Sequence, residues 1–176
     1  MKIGIIGSGV VAQTLGAKLI ELGHDVVLGT RDPAKLDEKK GMAGPLREWI
    51  AKTGKKGKVA TFQEAAAHGD LLFNATNGQA SVEALKLAAA DKVGTKVLID
   101  TGNELDFSKG MPPGALASQS NCLGERIQAA FPNLKVVKSL NTIGAPTSDS
   151  HISWRVIWKC QRYFPVFKST ASTVAV

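Results

Sequence analysis

At 176 residues the chain has the length of one ordinary domain and can bury a real core. Hydrophobic residues make up 44% of it, which excludes a disordered polypeptide, and no run of about 20 apolar residues exists to cross a membrane as a helix. The formal net charge of +7 raises a nucleic-acid reading, but no base-stacking or groove-reading motif accompanies it.

Lys2–Gly7 (KIGIIG) reads as a short buried strand. The apolar start faintly resembles a secretory leader, but Gly4, Gly7 and Gly9 interrupt it and no cleavage site follows, so the expected location is the cytoplasm. Gly9–Leu22 reads as a helix, because Ala12, Leu15, Gly16, Leu19 and Leu22 share one face, and Gly23 is a natural stop. Asp25–Gly29 is a second strand. Asp32 before Pro33 reads as a helix N-cap with proline at the first helical position. Gly44–Thr53 is an amphipathic helix, and Lys52, Lys55, Lys56 and Lys58 surround two glycines as a solvated loop does. A strand at Lys58–Ala60, a helix at Phe62–Ala67, a strand at Leu71–Ala75, a helix at Ser81–Ala90 and a strand at Lys96–Asp100 follow. Glu104–Ala117 is a loop broken by glycine and proline, Cys122–Phe131 a helix, and Leu134–Lys138 the last legible strand. Near-continuous apolar strands alternating with helices predict an α/β fold: a doubly wound, Rossmann-type parallel sheet in three layers.

Gly7-Ser8-Gly9-Val10-Val11-Ala12 fits G-x-G-x-x-G/A directly after a strand and opening a helix. Gly7 permits the tight turn, Gly9 lets backbone approach a pyrophosphate, and Ala12 lets the helix pack against the sheet. The helix start then offers free N–H groups to phosphate. This context predicts a dinucleotide site.

The second strand ends at Gly29-Thr30-Arg31, with no carboxylate at its tip to accept from a ribose 2′-OH. Arg31 can grip a 2′-phosphate, Thr30 can donate a hydroxyl, and Lys35 lies one predicted turn beyond, so NADP(H) is expected over NAD(H). The missing carboxylate also argues against a methyltransferase. Small polar residues recur at the other strand ends: Asn74, Thr76 and Asn77; Asp100, Thr101 and Asn103; Ser139, Asn141 and Thr142. They predict a polar rim around the nicotinamide. His24, His68 and His151 have no positioned carboxylate partner and read as structural or surface residues. No catalytic side chain and no metal site is predicted, which leaves direct hydride transfer by the cofactor. Cys122 and Cys160 lack metal-ligand spacing and read as free thiols.

Gly7-Ser8-Gly9, Gly29-Thr30-Arg31-Asp32, Ile99-Asp100 with Asn103, and Val136–Thr142 (VVKSLNT) together resemble the coenzyme F420 (deazaflavin)-dependent NADP oxidoreductase family. The same sequence class includes the N-terminal domain of pyrroline-5-carboxylate reductase. The resemblance covers about residues 1–147. It implies a reductase that passes hydride between NADP(H) and coenzyme F420 or a flavin-like acceptor. It also implies that Gly7 to Ala12 hold the pyrophosphate and that Thr30, Arg31 and Lys35 hold the 2′-phosphate. Residues around Asn74–Asn77 and Asn141–Thr142 would then line the nicotinamide end. The expected partners are small molecules, with a homodimer open as the oligomeric form and neither nucleic acid nor membrane involved.

The resemblance stops near Pro146, and residues 148–176 form a divergent tail set apart from the 1–147 domain. Five of the aromatic residues (Trp154, Trp158, Tyr163, Phe164 and Phe167) lie there, and acids stop at Asp149. A natural divergent end and a shifted reading frame both account for this composition. The helical domain that follows in pyrroline-5-carboxylate reductase is not legible, which argues against proline biosynthesis. The alternative to a reductase is a dinucleotide-binding module without catalysis, either a redox sensor or an inactive truncated reductase.

Overall fold

Strand β1 (Lys2–Ile6) is fully buried beyond its first residue, with Ile3, Ile5 and Ile6 at 0% exposure. A strand this apolar on both faces needs cover on both sides. The chain supplies it with α1 (Val10–Glu21), β2 (Asp25–Thr30), α2 (Leu46–Thr53), β3 (Gly57–Thr61), α3 (Phe62–His68), β4 (Leu71–Asn74), α4 (Ser81–Leu87), α5 (Ala90–Val93), β5 (Val97–Asp100), β6 (Leu105–Asp106), β7 (Gly114–Ala115), α6 (Leu123–Ala130) and β8 (Lys135–Lys138). The computed structural model describes residues 1–38, 43–106, 108, 110, 114–115 and 122–141, all within one compact unit, Met1–Asn141. Thr142 and the expected tail boundary near residue 147 lie outside the described residues.

Six strands form one parallel sheet in the order β3-β2-β1-β4-β5-β8. This is the expected doubly wound sheet, and its order reverses between β1 and β4, where such sheets open a crevice for ligands. The register sets Gly29, Ile6, Asn74, Asp100 and Lys138 in one row across the carboxyl ends of the strands.

The two faces of the sheet are built differently. On one, Gly16 of α1 faces Trp49 of α2 as well as Leu28 and Ile5 of the sheet, and a side chain there would meet the indole at 2.9 Å. On the other, α3 presses onto Gly4 and Gly29, and a Cβ at Gly4 would stand 2.2 Å from the Ala65 carbonyl oxygen. Phe62, Ala65, Ala66, Leu72, Leu85, Leu98 and Ile127 continue the core on that side.

Several expectations need correction. Asp32 and Pro33 start a turn, not a helix: the Asp32 carboxylate accepts from the Ala34 amide at 3.0 Å, so Lys35 stands in that turn. The helix expected over Ser81–Ala90 breaks at Ala89, whose φ of 66° cannot continue it, and a short α5 follows. The loop expected over Glu104–Ala117 contains the two-residue strands β6 and β7, paired antiparallel. The amphipathic helix starts at Leu46, two residues beyond the expected Gly44, after Pro45. The exposed lysines near Gly54 stand on α2, a short 3-10 turn and β3.

Candidate functional site

Gly7 carries the chain out of β1 with a φ of 131°, a conformation that favours glycine. A Cβ there would stand 2.5 Å from the Ala75 carbonyl oxygen. The Gly7 amide donates to the Gly29 carbonyl at 3.1 Å, and the Ala75 amide donates to the Ile6 carbonyl at 2.8 Å. The turn is thereby fixed to the loops after both β2 and β4. Ser8 is buried, and the Gln13 side chain donates to its carbonyl at 3.2 Å.

Gly9 differs from Gly7. Its φ of −78° is open to any residue, and a Cβ there would meet nothing within 4 Å. Gly9 is the N-cap of α1, and no side chain caps this helix and no acid stands in its first turn. The first amides of a helix have no intrahelical partner. The start of α1, at Val10, Val11 and Ala12, therefore combines unspent N–H groups with open space in front of them, while Ala12 is itself 0% exposed against the sheet.

At the end of β2, Thr30 is buried at 2% exposure. Arg31 and Lys35 are exposed, and neither side chain forms a hydrogen bond or ion pair with the described residues. The nearby Asp32 carboxylate is engaged by the Ala34 amide. Two cationic side chains following the end of β2, with no carboxylate at the strand tip, suit a 2′-phosphate.

The third part of the site is a closed polar network. Asn74 is 0% exposed, and its amide donates to Ser81 Oγ at 2.9 Å and to Asp100 Oδ1 at 2.8 Å. Its Oδ1 accepts from the Thr76 hydroxyl at 2.7 Å and the Thr76 amide at 3.3 Å. Asp100, also 0% exposed, accepts from the Gly102 amide at 3.1 Å and from Lys138 Nζ at 2.8 Å. Lys138 Nζ donates as well to the Gly102 carbonyl. Asn103 donates to the Asn141 carbonyl, and Asn141 Nδ2 donates to Asn103 Oδ1 at 3.3 Å. Asn77 is exposed, with its Oδ1 accepting from the Gln79 amide at 3.0 Å.

The described residues expected to form a rim are thus brought together, but Asn74 and Thr76 are spent on one another and shape the loop from beneath it. Ser81 and Lys138 belong to the network and were legible only as ends of a helix and a strand. Their signal was available: strands reading LLFN, VLID and KVVK end on polar side chains, and such groups need partners when buried. Thr142 and His151 lie outside the described residues.

The other two histidines sit at the opposite edge of the sheet. His68 Nε2 lies 3.3 Å from the carbonyl of Asp25, which opens β2. His24 is buried, and burial first, then the amino-terminal charge and Lys56, hold its pKa below the ordinary histidine value. Neither is near the glycine turn. No helix among the described residues is long and apolar enough to cross a membrane.

The family model described as NADP oxidoreductase coenzyme F420-dependent matches residues 2–104. A proposed F420-dependent NADP-reductase of known structure, from an Arthrobacter species, is 41% identical at a TM-score of 0.74, over 82% of this chain and 64% of that one. A hypothetical protein from Sinorhizobium meliloti shares the fold at 21% identity and a TM-score of 0.61, over 82% of this chain and 63% of that one. Metalloreductase STEAP3 of Rattus norvegicus is 30% identical over 145 residues, which is 82% of this chain and 25% of that protein. The chain therefore spans under two thirds of these relatives' own lengths.

Proposed function

The chain belongs to the coenzyme F420-dependent NADP oxidoreductase family, and from that premise we propose that it binds NADP(H) across the carboxyl edge of its sheet and passes hydride to a deazaflavin or flavin-like acceptor. The observation that carries the binding reading is Gly9. The protein fills the space around Gly7 with its own backbone, yet leaves the space at Gly9 open before the uncapped start of α1. A pyrophosphate fits that cradle. Arg31 and Lys35 then hold the 2′-phosphate, whereas Thr30, expected to donate its hydroxyl there, is buried at the end of β2. The loops Ala75–Asn77 and Gly102–Asn103 border the nicotinamide end, and Asn141 braces Asn103.

When bound, NADPH supplies the hydride, so the protein's part is to bind and orient. That division agrees with a site in which no described histidine approaches the glycine turn. A second reading is a dinucleotide-binding module without turnover, because the open space at Gly9 and the uncapped start of α1 bear on binding alone.

Two measurements separate these readings. Titration of the full chain is expected to show NADPH bound more tightly than NADH. Absorbance at the reduced nicotinamide band then follows NADPH oxidation with coenzyme F420 or a flavin. Binding with turnover supports the reductase, binding without it supports the module, and no binding removes both.

A further inference from the structure

A buried carboxylate stands at the one row of the sheet where five strand ends meet. Asp100 is 0% exposed, while the side chain of its partner Lys138 is 35% exposed. Burying a charge is costly, and a hydrophobic pair of similar volume is often no less stable. What apolar residues could not do is hold backbone at fixed points. Asp100 Oδ1 accepts from the Gly102 amide and from Asn74, and Asn74 in turn holds both polar groups of Thr76. Lys138 Nζ grips the opposite side, on Asp100 Oδ2 and the Gly102 carbonyl. Ser81 completes the circuit to Asn74, Thr76 and the Asn77 carbonyl. One carboxylate and one ammonium thereby fix two loops, one of them packed against the turn at Gly7 and the other, through Asn103, against Gly78.

We propose that Lys138 and Asp100 are positioning residues that set the backbone of Ala75–Asn77 and Gly102–Asn103 for the nicotinamide half of the dinucleotide. This inference rests on the dinucleotide reading above. The two ends of that ligand have separate anchors: Arg31 and Lys35 serve the adenine end from β2, whereas the Asp100–Lys138 pair serves the other end from β5 and β8. Loss of the pair should therefore be felt by the whole dinucleotide and not by its adenine half.

The test uses the full chain and two probes, NADPH and adenosine 2′,5′-bisphosphate, which carries the 2′-phosphate and no nicotinamide. Lys138→Met is expected to weaken NADPH about tenfold or more, the equivalent of one lost charge-assisted contact, and to leave the bisphosphate within about twofold. Because both probes carry phosphate, simple loss of a positive charge would weaken both. Lys138→Met also leaves Asp100 buried without its cation and will lower the melting temperature. The double variant Asp100→Asn with Lys138→Met removes that penalty, since no unpaired charge remains. Recovered melting temperature with NADPH still weak supports positioning. NADPH affinity that is unchanged in the single variant, or that recovers with stability in the double, overturns it and makes the pair structural. Wild-type chain that binds neither probe is a different outcome, and it sinks the dinucleotide reading along with this one.

Discussion

Gly7 and Gly9 lie two residues apart and are glycines for opposite reasons. Gly7 has a φ of 131° and would drive a side chain into Ala75, so the fold itself requires it. Gly9 has ordinary backbone angles and open space, so its requirement comes from outside the chain. Gly9→Val should therefore cost little stability, about 1 kcal/mol or less for a poorer N-cap, while abolishing most NADPH binding. Titration calorimetry beside a denaturant melt checks both halves; equal NADPH affinity would misplace the pyrophosphate. Arg31 carries the sharper test, because it is exposed and without a hydrogen bond or ion pair to the described residues. A charge-assisted hydrogen bond of roughly 1.5–3 kcal/mol corresponds to about ten- to a hundredfold in affinity. Arg31→Ala should lose NADPH by that factor and leave NADH nearly unchanged, and equal loss of both in a titration would refute the 2′-phosphate contact. His24 tests electrostatics away from the site. Burial holds its pKa below the ordinary value, so the unfolded chain takes up its proton at higher pH than the folded one. Its contribution to stability is complete above about pH 6.5 and is lost as pH falls toward and through the lowered folded value. His24→Gln should flatten the slope of stability against pH in that window, as urea melts from pH 7 to 5 would show.

The parallel, doubly wound class of the sheet, α1, the strand ends and the glycine turn were legible because each rests on a local pattern: apolar runs, helical spacing and a glycine motif between them. The failures have local causes as well. Asp-Pro after a strand marks either a helix N-cap or a turn in which the aspartate binds its own backbone, and Asp32 does the second. The break at Ala89 falls within Leu87-Ala88-Ala89-Ala90, where helix propensity is high and only tertiary context dictates a φ of 66°. The seat of α3 was also silent. Gly4 and Gly29 read as ordinary strand residues, yet their missing side chains are what allow Ala65 to touch the sheet. Gly4→Ala puts a Cβ 2.2 Å from a backbone oxygen, so α3 must lift. The expected cost is about 2–3 kcal/mol, in the range of other overpacking changes. Gly29→Ala meets the Phe62 ring at 2.9 Å, the Ala65 side chain at 3.1 Å and the Ile5 carbonyl oxygen at 3.2 Å. The two closer contacts are side chains of α3 that can shift, and the backbone one is a milder approach than at Gly4, so it should cost less. Chemical denaturation of both variants checks the ranking, and equal midpoints would contradict this account of the close approach.

At the scale of the molecule, the proposed ligand touches the ends of β1, β2 and β4 together, so binding and folding are linked through the whole sheet. The candidate cradle was readable from sequence because it follows motif spacing. The Asp100–Lys138 pair was not, since its residues are 38 positions apart and meet only through the register of β5 with β8. A ligand that binds the folded chain alone stabilises it by RT ln(1 + [L]/Kd), about 2.7 kcal/mol at a hundredfold excess over Kd. For a chain of 176 residues, about 2–4 °C accompanies each kcal/mol, so NADPH at that excess should raise the melting temperature by about 5–10 °C. NADH at the same concentration, bound about ten- to a hundredfold more weakly, contributes only about 0.4–1.4 kcal/mol and should give half that shift or less. The gap between the two cofactors should narrow as salt rises from about 0.05 to 0.5 M, because Arg31 and Lys35 face water and their attraction for the 2′-phosphate is screened. The shift common to both should change less, since the amides at the start of α1 are dipoles held close to the pyrophosphate. Thermal melts with each cofactor across that salt range separate the two contributions. Equal shifts at low salt would remove the role assigned to Arg31 and Lys35, and no shift with either cofactor would remove the cradle at Gly9 as well.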